Sequence, residues 1–266
     1  MEDADIGRSV FSHEGWRFET IKRGALSSAG RAAMAGRFEL PHVPLPEMLF
    51  ADNALLITHM ASGLCVRFAA EDALATWAQA QRREHHTAAI SFDVAYTCDY
   101  RGTLPESWTP MVTDEMLPLD RLREHAPILF YDDVILFEGS SEDALDPAYA
   151  LVDDIRDLGE VECSVKIRVM NFGFLVLCRY YARLDNKFVK LHDARYYHEF
   201  GTALVLRDFE TREALPHELQ KTGGEMCFVP TANFVYEAVL PARVERQRLI
   251  LTPNDVDFVS AETKTT

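Results

Sequence analysis

Residues Val161 to Phe200 read VECSVKIRVMNFGFLVLCRYYARLDNKFVKLHDARYYHEF. From Ser164 the stretch alternates, with Val165, Ile167 and Val169 on one side and Ser164, Lys166, Arg168 and Met170 on the other. A period of two belongs to a strand that buries one face and, here, carries two cations on the other. Phe172 to Asp185 continues as a second strand, and Asp185-Asn186 supplies residues that tolerate a tight turn into Phe188-Val189. The stretch closes in a dense group of charged and aromatic residues ending at Phe200. Taken alone, it reads as a meander inside a β-rich core.

Working outward, the flanks add more strands and a few helices. Trp16 to Arg23 reads as a first strand, followed by a helix over Ser28 to Arg37 and a proline-spaced extended segment, PHVPLPEM. Asn53 to Thr58 and Leu64 to Phe68 form a hairpin around Ser62-Gly63. Glu71 and Asp72 then open a helix through Gln81, where carboxylates meet the positive end of the macrodipole. Further strands are expected near Phe92 to Tyr100, Met111 to Asp114 and Ile128 to Phe137, with a short helix at Leu119 to His125. Asp146-Pro147 is a helix start, and Tyr149, Val152, Ile155 and Leu158 recur every three residues before Gly159. That spacing predicts a short acidic amphipathic helix. After Phe200 come a strand at Ala203 to Asp208, a helix-like piece from Glu210 to Leu219, a loop at Gly223-Gly224 and a last strand over Val244 to Leu251.

With 48% hydrophobic residues the chain has enough apolar surface for a full core. A formal charge of −15 argues against nucleic acid, whose phosphates need lysine and arginine patches. Much of that charge is local, since the span from Glu138 to Glu160 holds eight acids against the single Arg156. The start, MEDAD, is acidic where a secretory signal is basic and then apolar, and the longest apolar run, Phe172 to Cys178, is too short to span a bilayer. Five scattered cysteines suit reduced thiols in the cytosol, so a cytoplasmic location is expected, with the nucleus as a second compartment. Nucleotide and hydrolase chemistry find no support: there is no phosphate-binding glycine loop, no G-x-S-x-G elbow, no C-x-x-C pair and no H-E-x-x-H helix. No cofactor is expected.

SVKIRVM, the aromatic strand after it and HDARYYHE together resemble the signature of the TIPRL-like (TIP41-like) family of TOR-signalling regulators. LPEMLFADNALLITH at Leu45 to His59, FAAEDAL at Phe68 to Leu74, YTCDYRGTL at Tyr96 to Leu104 and ILFYDDVILFE at Ile128 to Glu138 agree with it in order. Within that pattern, 139–159 looks like an insertion, Val94 stands where tryptophan is usual and Leu191 where methionine is usual. The resemblance implies an α+β, β-rich single domain, with antiparallel sheets packed as a sandwich, double-stranded β-helix-like, and a few flanking helices. It places a flexible N-terminus at 1–14, the domain at 15–253 and a tail at 254–266.

The resemblance also implies a partner, the catalytic subunit of protein phosphatase 2A with its type-4 and type-6 relatives, met by a monomer with no activity of its own. Such subunits end in a short acidic and aromatic tail with a free carboxylate, which asks for cations beside an aromatic wall. Lys166 and Arg168 can supply cations, joined by Arg179 and Arg183 on the next strand, with Arg195, Tyr196 and Tyr197 closing the pocket. Alternatively, Lys166 and Arg168 solvate an outer face or pair with Asp132 or Asp133. Asp72 and Asp193 fall where the family has functional aspartates, although one can cap its helix and the other anchor a turn. Ile128 is an apolar contact by the same alignment, or core, and Leu191 completes the set. The acidic insertion is a second candidate contact, drawn to the metals of a phosphatase active site. Two rivals remain: an iron/2-oxoglutarate-oxygenase-like enzyme and an unrelated scaffold or chaperone. The first lacks its ligands, because none of the nine histidines has Asp or Glu two residues on, and adjacent pairs such as His192-Asp193 point to opposite faces of a strand.

Overall fold

A computed structural model describes residues 7–39, 45–84, 99–118, 126–140, 159–184, 188–215, 218–219 and 231–251. In chain order the elements are β1 (Gly7–His13), β2 (Trp16–Lys22), α1 (Ser28–Arg37), β3 (Met48–Leu49), β4 (Ala54–His59), β5 (Cys65–Ala69) and α2 (Ala70–Glu84). They continue with β6 (Met111–Val112), β7 (Ile128–Ser140), β8 (Gly159–Met170), β9 (Gly173–Leu184), β10 (Phe188–Glu199), β11 (Leu204–Ala214), α3 (Ala232–Ala238) and β12 (Arg243–Ile250). A four-stranded sheet runs β1-β2-β4-β5, and an eight-stranded sheet runs β3-β7-β8-β9-β10-β11-β12-β6. Every named pairing is antiparallel. The expected β-rich α+β sandwich is therefore present. From β7 to β12 successive strands neighbour one another in one sheet, so the order is a meander, whereas a double-stranded β-helix shuttles strands between sheets.

Alternation along β8 explains why the sheets face each other as they do. Val161, Cys163, Val165, Ile167 and Val169 all lie in the main core with Trp16, Phe18 and Ile57 of the smaller sheet. Lys166 and Arg168 point the other way and are exposed. We call the core side of the large sheet inner and the other side outer. Helix α2 closes the core with Trp77, whose ring meets Phe137 edge-on at 5.2 Å. The outer side has a smaller cluster of its own, Tyr181, Val189, Leu191, Leu219 and Val235, where α3 packs on β10.

Three expectations change. Gly7–His13, expected within a flexible N-terminus, is strand β1: Glu14 and Gly15 both take positive φ (47° and 77°), which makes a tight hairpin into β2. Phe11 then stacks on Phe130 at 5.3 Å and ties the hairpin to the body. Glu210 to Leu219, expected as helix-like, is strand as far as Ala214, because β10 pairs with it up to Ala214 and β12 up to Thr211. Helix α3 had no forecast, although Thr231 caps it by accepting from the Phe234 N–H at 3.3 Å. Gly139 and Gly159, the expected bounds of the insertion, belong to β7 and β8. The acidic helix, the strand at 92–98, the helix at 119–125, the loop at Gly223-Gly224 and the tail lie outside the described residues.

Candidate functional site

Antiparallel register sets residues of neighbouring strands in rows that share a face. One outer row is Ser164, Arg179, Asp193 and Glu210; the next is Asp133, Lys166, Leu177, Arg195 and Asp208. Arg168 begins a third, beside Tyr131 and Leu175. Register therefore puts Lys166, Arg168, Arg179 and Arg195 on one face, as the sequence reading required.

Most of these cations are engaged within the chain. Arg179 makes a fork of two bonds to Asp193, Nε to Oδ1 and Nη2 to Oδ2, both 2.8 Å, and its Nη1 donates to Asn233 at 2.9 Å. Arg195 bonds Asp193 at 2.6 Å and Glu210 at 2.9 Å. Arg212 donates to Glu210 at 2.8 Å and, through Nε, to the Val239 carbonyl at 3.0 Å. Burial works against the Arg195 charge, yet Asp193 and Glu210 prevail and its pKa is raised. Burial also opposes the Glu210 anion, and Arg195 and Arg212 override it and lower its pKa. Lys166 pairs with Asp133 at 3.2 Å. Among the described residues Arg168 has no ion-pair partner and is exposed.

Several candidates therefore change character. Asp193 is 0% exposed and sits mid-strand, where it holds two arginines; it anchors no turn. Leu191 is also 0% exposed, inside the cluster under α3, so its side chain is packing and offers no contact surface. Arg183 is buried, 3.9 Å from Glu160, and is not at hand for a ligand. Tyr196 faces the inner side, opposite Arg195, and cannot close an outer pocket. Ile128 is 51% exposed and not core. Asp72 lies in the first turn of α2 and receives a fork from Arg67, whose Nε is 2.9 Å away.

The inner side of β10 to β12 holds a second constellation that sequence reading missed. Lys190 lies 3.0 Å from Asp99 and 3.6 Å from Glu213, and Arg243 pairs with Asp99 as well. Arg101 bonds Glu245 at 2.8 Å. Arg207 bonds the Tyr196 hydroxyl and Gln247, each at 2.9 Å, and the Tyr196 hydroxyl donates to the Arg101 carbonyl. The Phe209 ring lies 4.3 Å from the Arg101 guanidinium and 4.9 Å from that of Arg207. Four cations thus meet three carboxylates against an aromatic wall, in a chain whose net charge is −15.

Backbone geometry places this group. Gly102 takes φ 79°, and a Cβ there would stand 2.6 Å from the Phe68 ring, so only glycine lets the loop carry Arg101 so close. Thr103 fixes the loop by bonding Arg67 in both directions, at 3.0 and 2.8 Å. His192, 0% exposed, approaches Thr211 Oγ1 at 2.9 Å through Nδ1. Burial, aided by Arg101 and Lys190, pushes its pKa down to about 3, so the ring is neutral. Among the described residues, His192 Nε2 and Arg207 Nε are buried with no hydrogen-bond partner. Buried polar atoms ordinarily find partners, so this site is primed for a further polar group. The signal in sequence was the alternation Lys190, His192, Ala194, Tyr196, polar at three of its four positions on what pattern alone marks as a core face. No group of three or more His, Cys, Asp or Glu among the described residues is placed to hold a metal ion.

The chain matches the TIP41-like family over residues 48–220. It belongs to that family. It is 31% identical to a TIP41-like protein of Homo sapiens over 262 residues, covering 91% of this chain and 89% of the relative. It is 30% identical to a TIP41-like protein of Rattus norvegicus over 280 residues, 94% of each. Identity to the type 2A phosphatase activator TIP41 of Saccharomyces cerevisiae is 32% over 236 residues, covering 74% of this chain and 62% of that protein. The span that matches the TIP41-like family runs from β3 through β11, taking in Arg101, Lys190, His192 and Arg207 but not Arg243 or α3.

Proposed function

We propose that this chain is a non-catalytic regulator of type-2A-like Ser/Thr protein phosphatases, a monomer that binds the catalytic subunit within TOR-type signalling in the cytoplasm. Family membership supports the reading, and two relatives, from Saccharomyces cerevisiae and Schizosaccharomyces pombe, carry the name type 2A phosphatase activator. Type-4 and type-6 catalytic subunits are included as partners. The observation that carries the binding mode is the inner constellation with its unpartnered His192 Nε2 and Arg207 Nε. A chain end with a free carboxylate and an aromatic side chain matches cations beside an aromatic wall. Arg243, with a side chain 56% exposed, gives that site its opening to solvent. The outer face is the weaker seat, since Asp133, Asp193 and Glu210 already neutralise most of its cations. Any contact of Lys166, Arg168 and Ile128 with the partner then lies away from the chain-end site.

The test is the affinity of the full chain for a type-2A catalytic subunit with and without its C-terminal residues. Arg243→Glu should weaken binding of the intact subunit by about tenfold or more, a loss of about 1.4 kcal/mol, and leave binding of the truncated one unchanged. Lys166→Glu with Arg168→Glu should act less, and equally on both. Equal affinity for intact and truncated subunits overturns the chain-end reading; no affinity for either overturns the phosphatase reading itself.

A further inference from the structure

The outer face under α3 has a feature that chain-end binding does not use. The Tyr236 ring centroid lies 4.3 Å from the Arg212 guanidinium carbon and 5.4 Å from those of Arg179 and Arg195. Close cation–aromatic contacts arise roughly once per 70–80 residues, so three cations on one ring is a marked local concentration. Among the described residues, the carboxylates that answer these cations are Asp193 and Glu210, three guanidiniums against two acids. Asp208, next along the face, is 3.9 Å from Arg246. Val235 is fully buried while Tyr236 is 39% exposed, so α3 is seated with its phenol at the rim. Among the described residues spare donors remain: Arg212 uses Nε and Nη1 for Val239 and Glu210, leaving Nη2, and Arg179 uses three of its five N–H groups, one on each nitrogen.

We propose that Tyr236 is a phosphorylation site whose phosphate is received by Arg179, Arg195 and Arg212, fastening α3 to the sheet. In the modifying step the phenolic oxygen attacks the γ-phosphorus of ATP supplied with a tyrosine kinase. The bond from that phosphorus to the β–γ bridging oxygen breaks, ADP leaves, and the phenolic proton passes to the kinase's carboxylate base. A phosphate carries about −1.5 to −2 charge at pH 7 and, opposite an arginine cluster, gains one to three charge-assisted hydrogen bonds. Arg212 already holds the last turn of α3 through Val239, so a phosphate on the same guanidinium ties helix and sheet at one point.

Phosphotyrosine installed at position 236 of the full chain by codon reassignment tests this. Its phosphorus resonance should titrate about one unit below that of phosphotyrosine in a peptide of residues 231–240, for which a second pKa of about 6 applies. Arg212→Gln should shrink the shift, and amide exchange across 232–238 should slow on phosphorylation. A broad-specificity tyrosine kinase with ATP should label Tyr236 of the unmodified full chain. An unshifted titration, faster exchange across α3, or absence of label at Tyr236 would overturn the proposal.

Discussion

Asp193→Asn is the sharpest probe of the outer face. The substitution keeps the side chain's shape and removes its charge and one acceptor. Among the described residues that leaves Arg179 with amide oxygens, that of the substituted side chain and that of Asn233, and the Tyr236 ring, but no carboxylate. Arg195 retains Glu210 at 2.9 Å. Removing one partner of a buried ion pair costs about 3–5 kcal/mol, because the other charge stays desolvated. Arg179 and Arg195 side chains are 18% and 12% exposed, and one of the two keeps a carboxylate, which places the expected cost near the low end, about 3 kcal/mol. In a chain of this size that lowers Tm by about 6–12 °C. Urea unfolding followed by tryptophan fluorescence measures it, and a cycle with Arg179→Gln separates the pair from the site. The double variant should recover about 1–3 kcal/mol relative to the sum of the single losses. A loss below about 1 kcal/mol for Asp193→Asn, or strict additivity in the cycle, would show that Asp193 does not hold the arginines as argued.

The imidazoles predict acid sensitivity. Burial lowers the pKa of His59, His192 and His198. The unfolded chain therefore takes up protons first as pH falls below about 6.5, and stability present above that value declines towards the His192 value of about 3. His192→Gln should flatten the profile between pH 6 and 5 by up to about 1.4 kcal/mol per pH unit, and parallel urea profiles for variant and wild type would refute it. Gly173→Ala should destabilise by about 1–3 kcal/mol or more, since its Cβ would lie 2.2 Å from the His198 carbonyl oxygen and backbone cannot swing aside; an unchanged Tm would contradict this. Because Asp193 is fully buried and pairs with Arg179 on the weaker, outer face, Asp193→Asn and Arg179→Gln should reduce pulldown of the intact subunit less than Arg243→Glu does; an equal loss would contradict that ranking.

Pattern in the sequence carried the strands whose neighbours differ in polarity. In β8 a strict alternation of valine and isoleucine with cations fixed both the element and its faces, and the structure keeps each one. It was less informative where part of a strand is an unbroken polar run. In β11, Glu210, Thr211, Arg212 and Glu213 read as a helix surface, since Glu and Arg are good helix formers. Pairing with β10, and with β12 up to Thr211, outweighed that preference: Glu210, Thr211 and Glu213 meet Arg195, His192 and Lys190 across the ladder, while Arg212 bonds Glu210 on its own strand. Register, too, lies beyond a single sequence: a slip of one residue would have sent Arg179 to the opposite face from Asp193.

That dependence on register explains why the candidate site moved. The sequence showed where the cations were but not which of them already had an acid opposite. Lys166 stands across from Asp133, and Arg179 and Asp193 face one another directly, so the face richest in positive residues is largely self-satisfied. On the inner side the same strands bring Lys190, His192 and Arg207 beneath a loop that Gly102 allows to approach, and pairing there leaves atoms unanswered. A site for another chain's end is better sought where a fold buries polar atoms without completing their bonds than where it displays the most charge, because binding gains most from groups whose desolvation folding has already paid for.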